Sequence, residues 1–233
     1  MGFAGSSVAL GPIIMSTCYS RATPSPRYRE LLTQYVQMHV RGEQFQHIPP
    51  EQTFAGQSLP RHARTIKSLI DAHAARTILD YGSGKGQQYQ PVRVQLDDGK
   101  EYPSIPAYWA VDAITCYDPG YAPHSRLPEG TFDGVVSTDV LEHCPEDDLP
   151  WIVEEIFGYA RKFVFANVAC YPAMKRLSNG ENAHCTIQST AWWESLIKQV
   201  AARHPTVRYQ VLLERPEQTN GGRQKLVVDT LSG

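Results

Sequence analysis

The chain has 233 residues, of which 42% are hydrophobic and 20% are charged, a composition typical of a globular protein. This length suits one domain of ordinary size with one or two added segments. The formal net charge is −2. The charge balance therefore gives no sign of a surface for a long nucleic-acid backbone or an anionic membrane, although it leaves room for a small local basic groove.

Nothing in the sequence predicts a membrane segment. No apolar run reaches the length that spans a bilayer. The apolar patch at residues 8–15 contains Gly11 and Pro12 and follows no basic region, so we expect no signal peptide. The cysteines are odd in number and form no C-x-x-C pair, which predicts reduced thiols in a cytoplasmic protein. They are Cys18, Cys116, Cys144, Cys170 and Cys185.

The first quarter of the chain predicts a tail followed by two helices. Residues 1 to about 26 show little periodicity and are predicted to be a tail. Residues 28–40 have a helical pattern that Gly42 ends. Residues 47–59 are predicted to form a loop, and Pro60 opens a second helix that ends near residue 75. The face of the first helix consists of Leu31, Leu32, Tyr35, Met38 and His39.

The rest of the chain alternates strands with helices. A short buried strand around Ile78 and Leu79 comes first, and Pro91 limits any helix after it to barely one turn. Residues 92–108 are predicted to be an insertion. Further strands are predicted at residues 111–117, 132–138, 163–168, 209–214 and 225–230, the last two around a turn at residues 220–222.

Two long helices lie between these strands. An acidic stretch at residues 145–148 predicts the start of one helix, and we place Arg161 and Lys162 at its end, where the helix dipole favours cations. Thr190 is predicted to cap the other, which runs to residue 201. The alternation predicts a mostly parallel, three-layer α/β sheet.

A glycine-rich loop follows the first strand. Gly82, Gly84 and Gly86 come directly after Asp80, and such a loop lets a ligand approach the bare backbone at the carboxyl end of a sheet. An ordinary glycine-rich turn is the alternative. The stretch lacks the hydroxyl residue of a phosphate-binding P-loop after Lys85, and it misses the dinucleotide motif by one residue.

This stretch resembles motif I of the class I S-adenosylmethionine (SAM)-dependent methyltransferases. The family pattern is two hydrophobic residues followed by D-x-G-x-G-x-G, and Asp80, Gly82, Gly84 and Gly86 fit it without a gap. The resemblance implies a Rossmann-like sheet that ends in an antiparallel hairpin, formed here by the last two predicted strands. It also implies that Tyr81 and Ser83 lie at the cofactor together with the matched residues.

An acid at the end of the next strand is the second candidate. Asp118, followed by Pro119, can accept hydrogen bonds from the hydroxyls of an adenosine ribose. The spacing from the glycine loop exceeds the usual interval of about 20 residues, which we attribute to the insertion. The alternative is an aspartate that only caps a turn at Pro119 and Gly120. Since motif I precedes it, we favour ribose binding.

The segment that begins at Phe132 and ends at His143 resembles motif IV of many small-molecule class I methyltransferases, with the pattern F-D-x-V-x-x-x-x-V-L-E-H. By resemblance, Asp139, Val140 and Leu141 lie at the methionine end of SAM. His143 either faces the reaction space or packs against the following helix.

His184 is the other candidate base, in a polar loop that follows the fourth strand of the sheet. Histidine is suited to accept a proton from a hydroxyl or ammonium acceptor near neutral pH. A surface loop without function is the alternative. The pairs His143–Cys144 and His184–Cys185 lack the short, regular spacing of zinc motifs, so the sequence predicts no metal.

Together these resemblances, which span about residues 69–231, imply a class I SAM-dependent methyltransferase with SAM as cofactor and S-adenosylhomocysteine as product. We divide the chain into a tail and lid, residues 1–60, and a methyltransferase domain, residues 61–233. By resemblance, Phe54, Ser58 and His62 are the lid residues over SAM.

The predicted acceptor is an oxygen or nitrogen of a small polar metabolite or sugar. Two alternatives are methylation of RNA or protein and a SAM-binding module without catalysis. The absence of a basic cluster disfavours RNA, and the intact motifs disfavour loss of SAM binding. The acceptor and the oligomeric state are not predicted by the sequence.

Overall fold

Six strands form the central sheet of the computed structural model, which describes residues 19–96, 99–218 and 224–233. The helices are α1 (Pro26–Arg41), α2 (Ala63–Ala72), α3 (Ile105–Trp109), α4 (Leu149–Tyr159) and α5 (Thr190–Ala201). The strands are β1 (Thr77–Tyr81), β2 (Val94–Gln95), β3 (Glu101–Tyr102), β4 (Ala113–Tyr117), β5 (Phe132–Thr138), β6 (Ala160–Ala169), β7 (Arg208–Gln218) and β8 (Gln224–Ser232).

The sheet has the strand order β4-β1-β5-β6-β7-β8. The neighbours from β4 to β7 pair in parallel, and β7 pairs with β8 in antiparallel register. From β1 the chain goes first to β4 on one side and then to β5 on the other. The direction of winding therefore reverses beside β1, and open α/β sheets bind ligands outside the carboxyl ends of the strands at such a point.

Helices cover both faces of the sheet because its central strands are apolar on both sides. Leu79 and Val135 pack in one buried cluster with α4 and α5. Ile78 and Val136 point to the opposite face, where they pack with α2 and α3. This arrangement confirms the predicted three-layer, mostly parallel α/β fold with its closing antiparallel pair.

Helix α1 lies over the carboxyl edge of the sheet. Ser25 caps its first turn by accepting a hydrogen bond from the backbone N–H of Tyr28, and the Ser25 N–H donates to Asp148 Oδ1 at 3.0 Å. Leu31 packs in a small buried cluster with Leu177, which belongs to the segment after β6. These two contacts hold α1 against the carboxyl edge of the sheet.

Two charged residues do not have the predicted role. Arg161 and Lys162 lie in β6, because α4 ends at Tyr159 and the strand begins at the next residue. Both side chains pair with Asp133, at 3.0 and 3.3 Å. They therefore balance a buried carboxylate at the start of β5 instead of stabilising a helix end.

Several predicted boundaries also shift. Pro60 lies in a 3₁₀ turn, Leu59–His62, so that α2 begins three residues later and ends at Ala72. Ser189, not Thr190, caps α5 by accepting a hydrogen bond from the Trp192 N–H. The insertion contains the short pair β2–β3 and leads into α3.

Some predictions fall outside the described residues, namely the tail up to residue 18 with Cys18 and the turn at residues 220–222. Across the described ranges, no helix combines the length and apolar character that crossing a membrane requires.

Candidate active site

The glycine loop after β1 packs closely against two other parts of the chain. Gly82, Gly84 and Gly86 all have positive φ, at 87°, 57° and 66°. A Cβ added at Gly82 would lie 2.3 Å from a methyl of Val140, and one added at Gly84 would lie 2.3 Å from the carbonyl oxygen of Phe54. The loop therefore requires glycine for both its conformation and its close contacts.

Asp118 joins this loop to the end of β4. Its Oδ2 accepts a hydrogen bond of 2.9 Å from the Gly84 N–H, and its Oδ1 accepts one of 2.8 Å from the Gly120 N–H. The carboxylate lies in the cavity wall described below. A carboxylate offers about four lone-pair sites, so each oxygen keeps one for a further donor.

Asp80 lies beneath the loop and is fully buried. Its Oδ2 accepts hydrogen bonds from the Tyr89 hydroxyl at 2.8 Å and from Gln88 Nε2 at 2.9 Å. Burial, opposed by these two bonds, raises the pKa of this carboxyl to about 7. These contacts make Asp80 a support for the glycine loop from below.

Asp139 follows β5 with a positive φ of 54°. Its N–H donates to Asn167 Oδ1 at 3.2 Å, and its carboxylate pairs with Arg61 at 3.2 Å. Aspartate tolerates this left-handed conformation better than most residues, although the conformation still carries strain. Val140, the next residue, packs against Gly82. The end of β5 is thereby held against the glycine loop.

His143 and His184 meet at the same edge, as the sequence predicts for residues that follow neighbouring strands. Their ring centroids are 4.8 Å apart and nearly perpendicular. Nδ1 of His143 lies 2.9 Å from the carbonyl oxygen of Ala183, and Nδ1 of His184 lies 2.6 Å from that of Tyr171. A carbonyl oxygen only accepts, so we assign the proton to both Nδ1 atoms and a lone pair to both Nε2 atoms. The Tyr35 hydroxyl, 3.0 Å from Nδ1 of His143, then directs its proton to the Ala183 carbonyl.

Burial keeps both imidazoles neutral. It lowers the pKa of His143 to about 3, with the neighbouring His184 as the next cause, and it also lowers the pKa of His184. The Tyr35 hydroxyl donates to the same Ala183 carbonyl at 2.9 Å. Helix α1 therefore contributes directly to the surroundings of the His143 ring.

A cavity of about 460 Å³ lies along this edge of the sheet. This volume falls in the range of small-molecule sites. Of the predicted cofactor residues, seven line the cavity: Gly82, Ser83, Gly84, Asp118, Pro119, Asp139 and Val140. Both predicted catalytic histidines line it as well.

The other predicted cofactor residues do not line this cavity. A Cβ added at Gly86 would lie 2.9 Å from the His124 ring and 3.1 Å from Cys116 Sγ, and Leu141 belongs to the core. Tyr81 is buried, and its hydroxyl donates to Glu155 at 2.6 Å. With Asp80, these residues lie behind the cavity wall and shape it from outside.

Of the three predicted lid residues, two line the cavity and one does not. Phe54 and Ser58 line the cavity, whereas His62 is buried beside Phe165 outside it.

Several lining residues were not predicted as site residues. Tyr35 and His39 were assigned only to a helix face, and Arg61 and Lys175 were not singled out. Lys175 Nζ lies 5.1 Å from the centroid of the Phe54 ring. Tyr35, His39 and Lys175 reach the cavity because α1 and the segment after β6 fold back over the sheet. Sequence periodicity carries no signal for that placement.

Comparisons with known proteins give little further information. No protein-family model matches the chain, and no curated protein matches it. One similar solved structure is the crystal structure of Burkholderia thailandensis 1,6-didemethyltoxoflavin-N1-methyltransferase with bound 1,6-didemethyltoxoflavin and S-adenosylhomocysteine. The two share 14% sequence identity with a TM-score of 0.48, over 89% of this chain and 90% of the other. A similarity at this level does not identify the function of the chain.

Proposed function

We propose that this protein is a SAM-dependent methyltransferase that methylates an oxygen or nitrogen of a small polar molecule. The observation that carries the proposal is the hydrogen bond between Gly84 N–H and Asp118 Oδ2. It brings a glycine loop and a strand-ending acid together at the carboxyl edge, where the winding of the sheet reverses.

The residues fit an adenosine-containing cofactor. Gly82 and Gly84 line the cavity beside Asp118, so the backbone of the glycine loop borders the space for the cofactor. In this proposal the carboxylate of Asp118 holds the ribose hydroxyls with its remaining lone pairs. The adenosine moiety lies along the glycine loop and Pro119, and Asp139 and Val140 border the methionine end.

The sulfonium of SAM supplies an already activated methyl group. The protein then has to align the acceptor for in-line displacement and to remove its proton. His143 and His184 both line the cavity with an unprotonated Nε2, and His184 is the better candidate to accept that proton because burial lowers the pKa of His143 to about 3. The assignment of one histidine as the base stays a prediction.

A small polar acceptor suits the lining of the cavity. The part of the cavity that we assign to the acceptor is lined by the hydroxyl of Tyr35, the two imidazoles and the ammonium of Lys175. Helix α1 covers this end of the sheet edge, which favours a compact acceptor over a macromolecule.

Calorimetric titration of the full chain with SAM and with S-adenosylhomocysteine tests the proposal. We expect one site for each ligand, and we expect the two ligands to compete. Transfer of a labelled methyl group from SAM to a panel of small hydroxyl and amine compounds then identifies the acceptor. If neither ligand binds the folded protein, the proposal is wrong.

A further inference from the structure

Three potential metal ligands converge beside the cavity. Glu142 and His143 belong to a 3₁₀ turn directly after the end of β5, and His184 comes from the segment after β6. One carboxylate oxygen of Glu142 and one ring nitrogen of each histidine lie within 4.8 Å of one another. The sequence analysis predicts no metal here, because the members of this group come from two distant segments and lack the short spacing of zinc motifs.

Glu142 has a buried oxygen without a partner. The side chain is fully buried, and Oε1 accepts a hydrogen bond of 3.0 Å from the Ala169 N–H. Oε2 has no hydrogen-bond partner among the described residues. An unpartnered carboxylate oxygen in the interior is costly unless a proton or a cation neutralises it. The position therefore calls for a positively charged or proton-bearing group next to Oε2.

The two histidines are oriented as metal ligands usually are. Each Nδ1–H donates to a backbone carbonyl, which fixes the ring and leaves the Nε2 lone pair available. A carbonyl oxygen that accepts from the ring nitrogen facing away from the metal is common for metal-bound histidine. Both the carboxylate of Asp139 and the ammonium of Lys175 lie close enough to act on the two rings, with opposite effects, so the nearby charges do not decide for or against a cation.

We propose that Glu142, His143 and His184 bind one divalent transition-metal ion, with an open coordination position towards the cavity. Two histidines and one glutamate are a donor set of catalytic zinc sites, which keep such a position for water or substrate. Tetrahedral ligands of zinc lie about 3.4 Å apart. The longest separation must therefore shorten by about 1.4 Å on binding. His184 and its partner Tyr171 both lie in the segment after β6, outside helix or strand, so the ring can shift together with the carbonyl that orients it.

The ion gives the site a role in the reaction, and this role rests on the proposed function. A metal with an open position would bind an acceptor hydroxyl and lower its pKa. The proton then leaves to solvent, the acceptor atom bonds to the transferred methyl, and the sulfonium becomes a thioether. With both Nε2 lone pairs on the ion, neither histidine serves as the free base.

Titration of the full chain with metal ions tests the site without any methyl acceptor. The protein is first dialysed against a chelator and then titrated with Zn²⁺ by calorimetry and with Co²⁺ by visible absorption. We expect one ion per chain and Co²⁺ bands typical of low coordination number. Glu142→Gln and His184→Asn should each weaken the metal affinity by at least about 10–100-fold, the loss seen when a residue that only hydrogen-bonds to a metal ligand is replaced.

Glu146→Gln is the matched control, since Glu146 is exposed and accepts a hydrogen bond from Gln188. Its metal affinity should equal that of the parent, and circular dichroism checks that every variant is folded. A parent protein that takes up no ion, or folded variants that bind as the parent does, would overturn the inference. SAM titration of the same samples keeps the two proposals apart: SAM binding without metal binding rejects only the metal site, and metal binding without SAM binding rejects only the methyltransferase.

Discussion

The backbone N–H of Gly84 donates a 2.9 Å hydrogen bond to Oδ2 of Asp118, which joins the loops after two neighbouring strands. The other carboxylate oxygen accepts from Gly120, within the loop that follows β4. Asp118 therefore organises two backbone segments in addition to the ribose-binding role proposed for it. A substitution at this position acts on the shape of the site as well as on any ligand contact.

Replacing Asp118 by alanine should weaken SAM and S-adenosylhomocysteine to the same extent, since both carry the same ribose. Loss of charge-assisted hydrogen bonds costs roughly 1.5–3 kcal/mol, or about a 10–150-fold rise in Kd. Calorimetry with both ligands measures this rise. Asp118→Asn should have a smaller effect, because its one carbonyl oxygen still accepts a hydrogen bond. A loss confined to one of the two ligands would contradict the ribose assignment.

Gly84→Ala tests the close contact between the glycine loop and Phe54. The added Cβ would lie 2.3 Å from the Phe54 carbonyl oxygen, so the loop must move away from its position beside Asp118. We expect SAM affinity to fall at least tenfold and thermal stability to decrease. The larger Gly84→Val should lose measurable binding.

Gly130→Ala is the control for backbone strain. Gly130 also has a positive φ, at 76°, but has no atom within 4 Å of an added Cβ. Alanine there should cost only the roughly 1–2 kcal/mol of a left-handed residue and leave SAM affinity unchanged. Equal binding losses in the two alanine variants would show that strain, and not the contact with Phe54, is responsible.

The central sheet was predictable because its signals are local. Ile78 and Leu79 are apolar on both faces of a short strand, and the glycines after Asp80 mark where that strand ends. Parallel strands bring their carboxyl ends to one edge, so the meeting of the glycine loop with Asp118 follows from strand order alone. The same logic places His143 and His184 together.

The parts of the fold and of the site that the sequence does not predict depend on contacts between distant segments. Sequence periodicity predicts that residues 28–40 are helical, but it does not predict where this helix lies. The position of α1 follows from the bond between Ser25 and Asp148 and the packing of Leu31 on Leu177. Arg161 and Lys162 were assigned to a helix end because no turn residue separates α4 from β6. The burial of Glu142 in a single 3₁₀ turn leaves no periodic pattern to detect.

Substitution of the histidines should separate cofactor binding from turnover. His184→Asn and His143→Asn should keep SAM affinity within about threefold, because the proposed SAM contacts lie on the glycine loop and at Asp118. Turnover with the true acceptor should fall by about 10²–10⁴-fold, whether the ring acts as base or as metal ligand. His204→Asn, which removes a histidine paired with Glu154 away from the cavity, should leave turnover unchanged. Full turnover in both site variants would remove the histidines from the mechanism.

Asp80 should make the stability of the ligand-free protein depend on pH. Burial raises the pKa of its carboxyl from the ordinary 3.8 to about 7 in the folded chain. Between about pH 4 and 7 the folded chain therefore holds a proton that the unfolded chain has lost. The free energy of unfolding then falls as pH rises through this window, by at most about 1.4 kcal/mol per unit, and the contribution of Asp80 is fully present only at the acidic end.

Asp80→Asn removes this titration while keeping the size of the side chain. Urea unfolding at pH 5, 6, 7 and 8 should show the parent losing roughly 1–3 kcal/mol relative to Asp80→Asn between pH 5 and 7, with little further change at pH 8. Asp112→Asn, which removes an exposed carboxylate paired with Arg76, controls for the loss of one charge. Parallel stability curves for the parent and Asp80→Asn would mean that Asp80 is already ionised at pH 5. The hydrogen bonds from Tyr89 and Gln88 would then outweigh the effect of burial.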